Sequence, residues 1–152
     1  MDWKRSWRLL IEEAFNGVRE GDSGTWFVEK KEAILPVLDG LTAAQASHKF
    51  GPKVNSIAAH ARHTAYYITL GANYLETGKF GPADWEGSWS VQEVDEAQWT
   101  EIRTHLKSEF ERLLRAVDAW EVPDQDSITG AMAHLAHAAF HLGAMRQLAM
   151  LV

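Results

Sequence analysis

The histidines of this chain fall into two groups whose spacing suits metal binding. His134, His137 and His141 occupy positions i, i+3 and i+7 of one segment, and His60 and His63 lie three residues apart in an earlier one. In a helix with about 3.6 residues per turn, each group lies on one side. Neutral imidazole is the commonest metal ligand in proteins. The spacing therefore predicts two helices that turn imidazoles toward one shared metal ion.

Spacing alone leaves open which of the five histidines are ligands. His137 and His141 form an i, i+4 pair that can hold one metal ion from a single helix turn, although the glutamate of the metalloprotease motif is missing. The same side of this helix continues through Met145 and Leu148, so the histidines occupy core-facing positions. The alternative is a set of core histidines held by hydrogen bonds, since an unpaired buried ring nitrogen costs about 1–3 kcal/mol. For two helices that both carry clustered histidines, we favour the metal site.

Other side chains could take part in chemistry beside these histidines. Tyr67 follows His60 and His63 on the same helical face and could donate a hydrogen bond, although packing is the alternative. Arg146 lies just beyond His141 and could bind an anionic substrate group, or it could interact with the end of its own helix. His48 in a loop and His105 outside an apolar stripe are expected to be exposed.

Composition limits the class of protein. The chain has 152 residues, enough for a single domain over 1–152, and its net charge of −6 argues against nucleic acid as a partner. It contains no cysteine, so any metal must be held by nitrogen and oxygen ligands, and thiol chemistry would require an external thiol. No apolar stretch is long enough to span a membrane, and the N-terminus does not resemble a signal peptide. These features predict a cytoplasmic protein.

The segments that carry the histidines, and those around them, have the apolar spacing of helices. This pattern predicts an all-α four-helix bundle. We expect a short extra N-terminal helix over residues 4–20 and a first bundle helix over 25–39, which Pro36 kinks or shortens. The second bundle helix starts at Asn55 or Ser56 and ends near Glu76, and the third starts at Asp95. Asp126 or Ser127 begins the fourth. Residues 79–94 exceed the usual length of a bundle loop, so they are expected to form a crossover.

Two motifs resemble those of the DinB/YfiT-like superfamily. Asn55-Ser56-Ile57-Ala58, followed by His63, is similar to the family's second-helix motif. The family's fourth-helix motif, His-x-x-x-His-x-Gly-Gln-x-x-x-Leu, is similar to residues 137–148. These read His137-Ala-Ala-Phe-His141-Leu-Gly143-Ala144-Met-Arg146-Gln147-Leu148. The tryptophan-rich stretch Asp84-Trp85-Glu-Gly87-Ser-Trp89 resembles the crossover of one branch. The resemblance covers nearly the whole chain.

The resemblance implies a bundle in up-down-down-up order, with the long crossover between its second and third helices. It also implies a divalent metal held by His63, His137 and His141, with zinc or nickel favoured over iron or manganese. His60 and His134 then lie around the triad and could shuttle protons. Ala144 replaces a glutamine that is frequent in the family, which implies altered support for the metal site.

The resemblance further implies a metal-dependent enzyme that acts on a small-molecule substrate, because characterised members are transferases that use a low-molecular-weight thiol. One branch isomerises maleylpyruvate. A metal-dependent hydrolase and a non-catalytic metal- or ligand-binding stress-response module remain as alternatives, with a metal-free scaffold as a weaker one. Members are often dimers, so a homodimer is expected.

Overall fold

The chain folds into helices joined by loops. The computed structural model describes residues 3–29, 31–79, 81–121 and 124–152, and these residues contain no β-strand, which confirms the all-α prediction. The helices are α1 (Trp3–Asn16), α2 (Ile34–Asp39), α3 (Ala43–Ala46), α4 (Ile57–Thr77), α5 (Trp85–Ser88), α6 (Glu96–Ala119) and α7 (Gln125–Ala149). Within the described ranges, no helix combines the length and apolar character that crossing a membrane requires.

One apolar core joins the four longest helices, α1, α4, α6 and α7. Phe15 of α1 stacks on Phe110 of α6 with ring centroids 4.1 Å apart. Trp7 is fully buried, and its indole Nε1 donates a 2.7 Å hydrogen bond to the carbonyl of Ala131 in α7. Burying a large apolar side chain contributes about 1.5–3 kcal/mol, so these contacts hold α1 firmly against α6 and α7.

The N-terminal helix is shorter than expected but more important to the core. It ends at Asn16 because Gly17 adopts a left-handed conformation with φ of 82°, which favours glycine and stops the helix. The prediction placed its end near Gly21. A short N-terminal helix is therefore present as predicted, but it is not an addition to the bundle, because Trp7, Ile11 and Phe15 are buried in the core that α1 shares with α4, α6 and α7.

The prediction of a bundle helix over residues 25–39 was also wrong. Only α2, Ile34–Asp39, is helical, and residue 30 lies outside the described residues. Trp26 and Lys31 have positive φ values of 65° and 69°, which a right-handed helix cannot contain. Pro36 lies in the first turn of α2, where its missing N–H is tolerated, whereas extending the helix further back would bring its ring against the preceding turn.

Helix α4 follows the prediction for the second bundle helix closely. The Ser56 hydroxyl caps it by accepting a hydrogen bond from the backbone N–H of Ala59, and Gly78 ends it with φ of 69°. Its length of 21 residues carries the chain about 30 Å. The Ser56 cap fixes the start of α4 one turn before His60. The direction in which His60 and His63 point from the helix is therefore determined by residues close to them in the sequence.

The predicted crossover, residues 79–94, contains the short helix α5 and is tied to the beginning of α4. Phe80 lies outside the described residues. The Gln92 side-chain oxygen accepts a 2.9 Å hydrogen bond from the N–H of Ser56. Toward the other end of α4, Arg112 of α6 pairs with Glu76 and donates a hydrogen bond to Asn73. The crossover and α6 are thus connected to α4 near both of its ends.

The last two helices begin with side-chain caps. Helix α6 starts at Asp95, as predicted, and Asp95 forms a capping box with Gln98 there. Asp124, rather than Asp126 or Ser127, caps α7, and its carboxylate accepts a 2.8 Å hydrogen bond from the N–H of Ser127. An aspartate two residues earlier serves as the acceptor, so α7 begins slightly before the predicted position.

Candidate metal centre

Three histidines from two helices converge on one point in the interior. His63 of α4 lies opposite His137 and His141 of α7, and the ligand atoms of all three lie within 4.8 Å of one another. Nε2 of His137 is 3.2 Å from Nε2 of His63 and 3.1 Å from Nε2 of His141. His63 and His141 are buried, and His137 is half-buried. The three imidazoles thus form one compact cluster of nitrogen donors.

Ser88 determines which nitrogen of His63 carries hydrogen. The Ser88 hydroxyl lies 2.8 Å from Nδ1 of His63 and donates its only hydrogen to the carbonyl of Trp85 at 2.6 Å. The hydroxyl oxygen must therefore accept a hydrogen bond from Nδ1–H of His63. In the neutral ring this leaves Nε2 with a free lone pair, and that lone pair points into the histidine cluster.

His60 supports His141 in a similar way. Nδ1 of His60 lies 2.9 Å from Nδ1 of His141, and both rings are buried. One of the two nitrogens must carry the shared hydrogen. When His141 carries it, Nε2 of His141 has a free lone pair directed at the cluster. His60 is then an acceptor that holds the ligand ring in place, the role that second partners of metal-bound histidines usually have.

The cluster fits a divalent cation better than it fits a hydrogen-bond network. When His141 carries the hydrogen shared with His60, Nε2 of His63 and Nε2 of His141 are both unprotonated. Only a hydrogen on Nε2 of His137 could then bridge the group, and it can serve one partner well. Two nitrogens bound to zinc at 2.0–2.1 Å and at a tetrahedral angle are roughly 3.4 Å apart. The observed separations of 3.1 and 3.2 Å are close to that value. Three neutral imidazoles are also a donor set that zinc, nickel, iron and manganese accept.

Burial keeps these rings ready to bind metal. It lowers the pKa of His137 to about 4, with smaller contributions from His63 and His134. It lowers the pKa of His141 to about 3, helped by the neighbouring histidines, and lowers the pKa of His63 in the same direction. Because metal competes with protons for the same lone pairs, these rings would not have to lose a proton before accepting a metal ion at neutral pH.

Two aromatic rings cover the flanks of the cluster. Trp89 stacks on His63 with centroids 3.9 Å apart and an interplanar angle of 17°. Tyr67 stacks on His137 at 3.8 Å and 14°. Imidazoles held between ring faces lose rotational freedom, so the donor atoms stay aimed at the centre.

Helix α5 carries both Ser88 and the preceding Trp85, and side chains of α4 fix it in place. The Arg62 guanidinium donates a hydrogen bond to the carbonyl of Gly87, and the Tyr66 hydroxyl accepts one from the N–H of Asp84. The Asp84 carboxylate in turn caps the short helix. The crossover is therefore anchored directly beside the histidines it supports.

The remaining candidates from the sequence lie outside the triad. His134 lies one turn before His137 and meets the edge of Tyr67 at 4.7 Å. Arg146 pairs with Glu32, which precedes α2, so its guanidinium is already engaged by a carboxylate. His48 and His105 are exposed, as predicted.

Sequence reasoning missed the direct contacts made by the crossover. Trp89 stacks on His63, and the Ser88 hydroxyl lies 2.8 Å from Nδ1 of the same ring, yet neither residue was predicted to contact the histidines. Their position inside the tryptophan-rich stretch that resembles the family crossover was the available signal. A serine in a loop carries no periodicity, so only the folded chain shows what its hydroxyl contacts.

The chain belongs to the DinB superfamily, because the family model matches residues 27–145. This match includes α4 and α5 and the histidine pair of α7, and it confirms the resemblance noted in the sequence. No curated protein and no solved structure matches the chain. Membership agrees with the three buried histidines as a candidate metal centre.

Proposed function

We propose that this protein binds one divalent metal ion through His63, His137 and His141 and acts as a metal-dependent transferase that uses a low-molecular-weight thiol. The observation that carries the proposal is that Nε2 of His137 lies within a tetrahedral edge length of Nε2 of both His63 and His141. Zinc or nickel is the favoured metal, with iron or manganese as substitutes. When bound, such a metal supplies Lewis acidity that lowers the pKa of a coordinated thiol or water.

The residues around the triad favour thiol over water as the nucleophile. Hydrolysis commonly uses a carboxylate as general base. Among the residues that the structure describes, the group that could hold a metal ion consists of histidines alone. A thiol has a much lower pKa than water, so a metal can activate it without a strong base. Because the chain has no cysteine, the thiol must be a separate molecule.

The protein's own side chains would divide the work of orientation and proton handling. Ser88 and His60 hold the Nδ1 hydrogens of His63 and His141, which keeps both Nε2 lone pairs directed inward. Tyr67 and Trp89 cover the rings and exclude water from their faces. His60, hydrogen-bonded to His141, and His134, next to Tyr67, are the two histidines outside the ligand set that would carry protons.

The test uses protein purified without a histidine tag. We expect one zinc or nickel ion per chain by elemental analysis, and metal-dependent conjugation of bacillithiol or mycothiol to a model electrophile such as 1-chloro-2,4-dinitrobenzene. His63→Ala should lose both metal and turnover. Hydrolysis of an ester panel without thiol consumption would favour the hydrolase alternative. Full metal content with neither activity would favour a non-catalytic metal-binding module.

We also propose the up-down-down-up order of a four-helix bundle, in which α4 and α6 run in the same direction. The contacts of Gln92 with Ser56, and of Arg112 with Asn73 and Glu76, support this order. Cross-linking cysteines placed at residues 59 and 99, compared with residues 59 and 116, would test it. Only the first pair should form a short cross-link.

A homodimer in the cytoplasm completes the proposal. Phe140 and Met150 on α7 are exposed by 69% and 77% and would be covered by a second copy. The cytoplasm is proposed because small thiols are kept reduced there. Light scattering should give twice the chain mass, and Phe140→Glu should shift it to a monomer.

A further inference from the structure

An apolar cavity lies next to the histidine triad, between the C-terminal half of α4 and the N-terminal half of α7. It has a volume of about 360 Å³, within the range of small-molecule sites, about 300–1,000 Å³. Leu70 of α4, Leu113 and Val117 of α6, and Ala131 of α7 form its apolar walls, and Trp7 of α1 closes one side. Nothing in the proposed metal chemistry uses this space.

One polar group of the cavity wall has no partner. His134 lines the cavity, and its Nδ1 is buried with no hydrogen-bond partner in the part of the chain that the structure describes. A buried nitrogen left unpaired costs about 1–3 kcal/mol. Gly71 lies against the same ring: a Cβ added there would be 2.0 Å from Nε2 of His134. The chain thus makes room for an imidazole whose hydrogen bonding is incomplete.

The charge around the cavity favours neutral molecules. Asp126 lines it at the first turn of α7, and none of the described lining residues is a lysine or an arginine. An anionic ligand would be repelled by the Asp126 carboxylate and would find no countercharge, whereas an apolar ligand would gain about 25 cal/mol for each Å² it buries.

Tyr67 connects the cavity with the triad. Its ring lines the cavity, stacks on His137 at 3.8 Å and meets His134 at 4.7 Å. A ligand in the cavity therefore lies one aromatic ring away from a triad histidine. Trp85 also lines the cavity, and its ring centroid lies 6.1 Å from that of Tyr67.

We infer that this cavity binds the body of a neutral, apolar organic molecule, with His134 as its hydrogen-bonding partner and Tyr67 as the wall that separates it from the triad. The claim that this molecule is a substrate rests on the proposed function. The claim that the cavity binds it rests on the cavity alone. Anionic molecules of the same shape are discriminated against by Asp126.

The test compares two fluorescent probes that share one aromatic frame. N-phenyl-1-naphthylamine is neutral, and 8-anilino-1-naphthalenesulfonate adds one negative charge. Both fluoresce more strongly in apolar surroundings. With the full-length protein, treated with chelator or loaded with zinc, we expect the neutral probe to bind at least tenfold more tightly than the anionic one.

Matched variants locate the probe. Gly130 lines the cavity and Gly143 does not, and both are exposed glycines of α7 with no atom within 4 Å of an added Cβ. Gly130→Leu should weaken binding of the neutral probe at least fivefold, while Gly143→Leu should leave it unchanged. Leu70→Trp, which fills the interior of the cavity, should weaken it at least tenfold with the helical circular dichroism retained.

A charge reversal tests the discrimination. Asp126→Lys should raise the affinity for the anionic probe at least fivefold and leave that for the neutral probe within twofold. Glu101→Lys, on an exposed position of α6 outside the cavity lining, should change neither. Equal binding of both probes to the unmodified protein would overturn the charge argument.

The cavity inference and the proposed function fail separately. If both Gly130→Leu and Leu70→Trp bind the neutral probe as the unmodified protein does, the cavity assignment is wrong, whatever the metal content. If the probe binds as expected but no metal is retained by the triad, the cavity assignment stands and the proposed metal chemistry falls.

Discussion

The Ser88 hydroxyl lies 2.8 Å from Nδ1 of His63, although 25 residues separate them in the sequence. Because the hydroxyl hydrogen is donated to the carbonyl of Trp85, this contact fixes His63 with its Nε2 lone pair toward His137. A side chain of the crossover therefore sets the tautomer and orientation of a candidate metal ligand on α4. The predictions below start from this arrangement.

Ser88→Ala should weaken metal binding without unfolding the protein. Loss of the acceptor frees the His63 ring to turn and to change tautomer, and loss of such a partner typically costs 10–100-fold in metal affinity. Competition titration of zinc against a chromophoric chelator measures the change. Ser90→Ala is the control, because its hydroxyl only donates to the carbonyl of Gly87 at the surface. Equal zinc affinity in Ser88→Ala and the unmodified protein would contradict the role given to Ser88.

Two substitutions, His137→Ala and His134→Ala, should distinguish a metal ligand, His137, from a neighbouring histidine, His134. His137 contributes the nitrogen closest to both other donors, so its removal should abolish metal binding and activity together. His134 lies outside the cluster, so its removal should keep one metal per chain and lower turnover only. Elemental analysis of both untagged variants, alongside thiol-transfer rates, provides the measurement. Loss of metal from His134→Ala would show that the ligand set is drawn incorrectly.

Gly71→Ala should destabilise the protein even though alanine favours helices. The added Cβ would fall 2.0 Å from Nε2 of His134, and overpacking of this kind costs about 1–3 kcal/mol. In a His134→Ala background the clash disappears, and the same change should stabilise by about 0.5–1 kcal/mol through helix propensity. Urea unfolding of the four proteins in this double-mutant cycle measures the coupling. Additive effects would show that the two residues do not interact.

The metal-free protein should lose stability as the pH falls below 6.5. Burial lowers the pKa of His134 from 6.5 to about 4. The unfolded chain therefore protonates His134 at a higher pH than the folded protein does. The free energy of unfolding that depends on neutral His134 is fully present above pH 6.5 and is lost as the pH falls to about 4. One such buried group accounts for up to about 3 kcal/mol.

Urea unfolding in the presence of chelator, from pH 7.5 to 4.5, measures this dependence. His134→Phe keeps a ring of similar size and removes the titrating group, so its stability should fall less steeply with decreasing pH. A residual slope is expected, because burial also lowers the pKa of His60 and His137 to about 4. His105→Gln, at an exposed position, is the control. Parallel curves for His134→Phe and the unmodified protein would contradict a contribution from His134.

The sequence by itself determined the all-α class and the family, and the family motif selected His63, His137 and His141 from the five histidines that spacing left open. Helical periodicity is a local property, so positions 134, 137 and 141 share a face wherever the helix packs. Local side-chain caps also fixed the starts of α4 and α6 as expected, because Ser56 and Asp95 hydrogen-bond within their own first turns.

The tertiary structure decided what the spacing could not. Residues 25–33 carry helix-like apolar spacing, yet residues 25–29 and 31–33 form no helix, and the buried Glu13 carboxylate of α1 accepts hydrogen bonds from the backbone N–H and the hydroxyl of Thr25. The stacking of Trp89, the acceptor role of Ser88 and the cavity beside Tyr67 likewise depend on segments that are distant in sequence. Such contacts form only when the helices pack together. The sequence pattern of a loop or a helix face does not specify which distant residue it will contact.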